Sequence, residues 1–173
     1  MKIIKHETKI FLIALLIVLA IVTVMPKVED LYRKDVAKKV VARWRELAEK
    51  YAAFYKLDAK ITLAMICQES GGNPDSVNPA DPSRGLMQLT PGALADFNKA
   101  LSRSYSFDDM FIPYKNIEVG TWYYATRLSK TGDTYKAIAA YNAGLGNIPA
   151  GYAHADKVTK YLRFVNEIYS EAI

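Results

Sequence analysis

The apolar residues of the N-terminal third change pattern at Pro26. Residues 10 to 25, IFLIALLIVLAIVTVM, form an uncharged block with Lys2, Lys5 and Lys9 ahead of it. From Lys27 to about Lys56 there is neither Gly nor Pro. There Val36, Val40, Trp44, Leu47, Tyr51 and Tyr55 recur at steps of three and four residues, which predicts an amphipathic helix. Its other face, with Arg33, Lys34, Lys38, Arg45 and Glu49, suits water. Asp58 is placed to cap a second helix, ITLAMICQE, which is apolar on nearly every side and therefore expected in the core. Gly71-Gly72 stops it.

A loop rich in Asn, Pro, Asp and Ser runs to Arg84, and Thr90-Pro91 opens a third helix with Leu94, Phe97 and Leu101 on one face. A fourth helix is expected from about Asn116 to Lys130. Thr131-Gly132-Asp133 ends it and caps a fifth, which Gly144 and Gly146 close, and a last helix is expected from about Asp156 to Tyr169. Long strand alternation is absent from the sequence, so the fold class is all-α, with room for short strands only between residues 72 and 86.

As a helix, the 16 residues of the uncharged block rise about 24 Å, short of a roughly 30 Å hydrocarbon core unless Lys9 and Lys27 snorkel at its ends. It is longer than an ordinary signal-peptide core, so an uncleaved anchor is expected, with a signal peptide cleaved near Ala20 as the alternative. Basic residues lie before the block and Glu29-Asp30 after it, which puts the N-terminus in the cytoplasm and the domain outside. The chain therefore divides into a membrane segment (1–26), an amphipathic stalk (27–49) and one globular domain (50–173). Setting aside the three Lys and one Glu of residues 1–26 lowers the net charge from +5 to +3. Without a basic cluster, this excludes nucleic acid as the natural partner and suits an anionic envelope polymer. The single cysteine, Cys67, lies inside the apolar run and reads as a buried structural thiol. Two histidines and one cysteine suggest no metal site, and no cofactor is indicated.

The chemistry concentrates in ICQESGGNP, residues 66 to 74, where Glu69 ends an apolar helix. The negative end of the helix dipole and apolar surroundings both disfavour the anion there, so Glu69 is expected to keep its proton near neutral pH, as a general acid requires; on this position alone a solvated last-turn Glu that merely suits the helix is the competing reading.

Five stretches follow one another: QESGGNP (68–74), VNPA (77–80), GLMQLTP (85–91), PYKNIEVG (113–120) and AYNAGLG (140–146). In this order they resemble the catalytic domain of the soluble lytic transglycosylase family, lysozyme-like enzymes that cleave bacterial peptidoglycan, over about residues 50 to 170. The resemblance implies a lysozyme-like helical domain behind the membrane helix and the amphipathic helix. It implies Glu69 as sole catalytic acid and base. Asn78, Gly85, Met87, Gln88, Tyr141 and Asn142 would line the sugar cleft, with Gly85 allowing close backbone approach and the Tyr141 phenol near the scissile bond. Tyr123 and Tyr124 suit sugar stacking or the core.

The family's reaction protonates the bond between N-acetylmuramic acid and N-acetylglucosamine, then closes a 1,6-anhydro ring without water. The partners implied are peptidoglycan strands and, through the N-terminal segment, the membrane. Where many members have Glu-Thr-Arg-x-Tyr, this chain has KVTKY (157–161), so that Lys157 replaces an acid while Tyr161 persists. His154 reads as an exposed loop residue. Asp75 and Asp81 read as turn residues, so no second acid is assigned. A goose-type-lysozyme-like hydrolase and a non-catalytic glycan-binding module are the competing readings.

Overall fold

The computed structural model describes residues 6–171; Lys2 and Lys5 of the N-terminal basic set lie outside them. Six α-helices carry the fold: α1 (His6–Phe54), α2 (Ala59–Ser70), α3 (Pro91–Leu101), α4 (Pro113–Thr131), α5 (Thr134–Ala143) and α6 (Tyr152–Glu171). Short 3-10 turns at Asp108–Phe111 and Leu145–Gly151 lead into α4 and α6. Among the described residues there is no strand, only isolated bridges from Val77 to Arg84 and from Arg84 to Leu89.

Helix α2 is the centre. Leu63, Ala64, Met65 and Ile66 are completely buried, as its all-round apolar sequence requires. Each large side chain among them contributes about 1.5–3 kcal/mol by leaving water. Its ends follow local chemistry. The Asp58 carboxylate accepts from the Lys60 amide (2.9 Å), and Gly71 closes the helix in the left-handed region at φ 61°. Thr90 caps α3 by accepting from the Ala93 amide, and Asp133 caps α5 by accepting from that of Lys136.

Two boundaries differ from the sequence expectation. Helix α1 continues through Pro26, so the membrane segment and the amphipathic helix form one rod. Residues 8–32 are exposed throughout; from Arg33 on, one face of the rod enters the core through Val36, Ala37, Val40, Val41, Trp44 and Ala48. This part of α1 is a wall of the globular unit, fastened where the Trp44 indole N–H donates to the Gly72 carbonyl (3.1 Å). Helix α6 begins four residues before the expected Asp156. No capping side chain marks that start. Gly151 presses on α5 there, since a Cβ would lie 2.1 Å from the Ala139 carbonyl oxygen.

Candidate active site

The cleft forms where the C-terminal end of α2, the 71–90 loop, the end of α5 and the first turn of α6 converge. It encloses about 440 Å³ and is lined by Glu69 together with Asn78, Gln88, Tyr141, Asn142 and His154, and by smaller loop residues. Glu69 stands one residue before the helix end, with 12% of its side chain exposed.

The loop beside it is held by its own polar groups. Asn73 and Asn78 each accept a hydrogen bond from the amide two residues on (Asp75 and Ala80, both 3.1 Å), as Asx turns do. Arg84 and Leu89 exchange amide-to-carbonyl bonds, both 3.0 Å, which folds GLMQ into a tight reversal. Gln88 sits at φ 45° inside it. Its side-chain amide donates to the carbonyls of Ser76 (3.1 Å) and Gly85 (2.8 Å), and its carbonyl oxygen accepts from the Ser83 hydroxyl. The Ser70 hydroxyl donates to the Leu86 carbonyl (2.8 Å), tying the end of α2 to this reversal.

Of the residues expected at the cleft, Asn78, Gln88, Tyr141 and Asn142 line it with Glu69. Met87 and Gly85 are placed otherwise. The Met87 side chain is completely buried against Gly120, where a Cβ would meet its sulfur at 2.3 Å; only its backbone serves the site, accepting from the Tyr141 hydroxyl (2.8 Å). Gly85, at φ 77°, gives close approach to protein rather than sugar. A Cβ there would lie 2.1 Å from the Met110 carbonyl oxygen and 2.3 Å from the Asn116 amide nitrogen. Tyr124 is core, whereas Tyr123 packs edge-on against Tyr141 and lines the adjoining end of the cleft.

Burial first, and then the Glu69 carboxylate, hold the Tyr141 phenol well above its ordinary range, so it is a neutral donor. Asp81 lines the cleft but is exposed on its turn, and Asp75 faces solvent outside it.

His154 corrects the sequence reading most sharply. It lies in the first turn of α6 with 12% of its side chain exposed, and its Nε2 is 3.2 Å from Oε1 of Glu69. The distance is that of an ion pair, yet Nε2 is buried and makes no hydrogen bond of acceptable angle. The early start of α6 carries His154 inward. Only the weak signal of a histidine three residues ahead of KVTKY could have suggested it. Lys157, one turn further, is exposed and borders a second hollow behind Glu69, of about 570 Å³, shared with Tyr161 and with Glu29, Tyr32 and Arg33 of α1.

Comparison with known proteins matches residues 46–163 to the transglycosylase SLT domain. The membrane-bound lytic murein transglycosylase F of Alteromonas mediterranea is 32% identical over 119 residues, covering 65% of this chain and 23% of that protein. The membrane-bound lytic murein transglycosylase E of Buchnera aphidicola is 24% identical over 170 residues, covering 86% of this chain and 80% of that protein. The 70 kDa soluble lytic transglycosylase of Escherichia coli superposes with a TM-score of 0.68 at 22% identity, over 73% of this chain and 24% of that one. The chain thus spans about a quarter of the F-type relative and most of the E-type one.

Proposed function

Because this chain belongs to the transglycosylase SLT domain family, we propose that it is a peptidoglycan lytic transglycosylase with Glu69 as its one acid and base. The observation that carries the reading is the setting of Glu69, a mostly buried carboxylate on an open polar cleft, beside amide and phenol groups suited to an acetamido sugar.

Oriented this way, Glu69 delivers a proton to the oxygen linking N-acetylmuramic acid to N-acetylglucosamine. The bond breaks with its electron pair on that oxygen, and the 2-acetamido group steadies the cationic sugar. The carboxylate then takes the proton of the sugar's 6-hydroxyl as that oxygen closes on the anomeric carbon, leaving a 1,6-anhydro end. Asn78 and Asn142 suit hydrogen bonding to acetamido groups, and neutral Tyr141 stays a donor throughout. Residues 8–32, exposed along α1 and apolar from Ile10 to Met25, suit a membrane anchor that holds the cleft outside the cytoplasm.

The test is mass spectrometry of products from purified peptidoglycan. Anhydromuropeptides are expected from the wild type, and Glu69→Gln should lower their formation at least about a hundredfold while its circular dichroism is unchanged. Products heavier by one water would assign a hydrolase instead. Unchanged turnover in the variant would overturn the role of Glu69.

A further inference from the structure

We propose that His154 is a positioning residue for Glu69, which holds one of its carboxylate oxygens in place. The inference rests on the transglycosylase reading for its catalytic meaning, but not for the existence of the pair.

Three observations converge. Nε2 of His154 lies 3.2 Å from Oε1 of Glu69, and the two side chains are equally shielded, each 12% exposed. Nε2 is buried and otherwise unpartnered, and the carboxylate of Glu69 is the acidic group within ion-pair distance of it. Among the described residues no lysine or arginine comes within ion-pair distance of Glu69, so His154 is its sole candidate cation. The other titratable groups on the same cleft are Asp81 from the loop and Tyr141 from α5. Behind Glu69 lie Lys157 and Tyr161 of α6, Cys67 of α2, and Glu29, Tyr32 and Arg33 of α1.

The geometry divides the work between the two carboxylate oxygens. Oε1 faces the imidazole, which leaves Oε2 for the substrate. When Oε2 gives its proton to the glycosidic oxygen, negative charge spreads onto Oε1. An Nε2–H donor at that position interacts more strongly with the carboxylate than with the acid, so it favours the state formed during reaction. When Oε2 recovers a proton from the 6-hydroxyl, the pair returns to its starting state. No water is consumed, and His154 exchanges no proton with the sugar.

The experiment compares kcat and KM of wild type, His154→Gln and His154→Phe on peptidoglycan strands. Gln keeps an N–H donor, whereas Phe fills the space without one. Gln should retain kcat within about threefold, Phe should lose about tenfold or more, and KM should stay within about twofold in both. Equal losses of kcat in the two variants, or a loss carried by KM, would overturn the proposal, because a residue that only fills space does not separate a donor from an apolar ring.

Nitrogen-15 NMR gives a measurement independent of turnover and of the variants' folding. At one fixed pH the Nε2 resonance of His154 should differ between Glu69→Gln and the wild type, since its carboxylate neighbour is replaced by an amide. Identical Nε2 resonances in the two proteins would refute the pair. If the wild type cleaves no glycan but this difference is present, the functional reading fails and the pair stands.

Discussion

The Tyr141 hydroxyl donates to the Met87 carbonyl at 2.8 Å, joining residues 54 positions apart and setting the end of α5 against the GLMQ reversal. Tyr141→Phe leaves this buried carbonyl unpaired, a cost of about 1–3 kcal/mol. The variant should lose that much stability in urea titrations. It should also lose activity beyond the stability loss, because the reversal that carries Gln88 is then held less firmly.

Asn116 is completely buried and serves three backbone groups. Its oxygen accepts from the Met87 amide (2.8 Å), and its nitrogen donates to the carbonyls of Arg84 (3.0 Å) and Met110 (2.8 Å). Asn116→Ala strands the Met87 amide and the Met110 carbonyl, while the Arg84 carbonyl keeps its bond from the Leu89 amide, so a loss of roughly 2 kcal/mol or more is expected. Hydrogen exchange should quicken at the Met87 amide before it does in α2.

The core begins upstream of the region that matches the family. A chain starting at Lys27 keeps Val36, Val40 and Trp44 and should be soluble and cooperatively folded. One starting at Glu46, where the match begins, loses all three and exposes α2. It should aggregate or give a broad thermal transition, and differential scanning calorimetry of the two chains checks this.

The structure also fixes where alkali acts. Burial pushes the Cys67 thiol up to about 12, and the phenols of Tyr55, Tyr105 and Tyr169 likewise to about 12. In the unfolded chain these groups titrate near roughly 8.5 and 10. The folded state thus favours their protonated forms. Their contribution is fully present below about pH 8, erodes as the unfolded chain begins to ionise, and is lost as pH rises through about 12. Urea midpoints should therefore drop between about pH 9 and 12 rather than near neutrality. Cys67, 2% exposed, should resist alkylation at pH 8 until the protein is unfolded.

Much of this protein is determined locally and was legible in the sequence. Asp58, Thr90 and Asp133 cap their helices, and Gly71, Gly132 and Gly144 end them, because a cap needs only a side chain and the amides within three residues of it. The apolar circumference of α2 declared its central place, and the stop at Gly71 set Glu69 at the helix end. Tertiary structure decided what depends on distant partners. Gly85 and Gly120 look alike as glycines that permit close approach, yet the neighbours are Met110, Asn116 and Met87, each brought there by another element. Met87 is an exposable methionine in the sequence and core in the fold, because α4 offers a glycine opposite it. The start of α6 answers to Gly151 packing on Ala139 rather than to any capping residue, and that displacement of a single turn puts His154 against Glu69. A pattern read along one helix carries the phase of its own face. It carries no information about which residue of another helix, 85 positions later, fills the space beside that face.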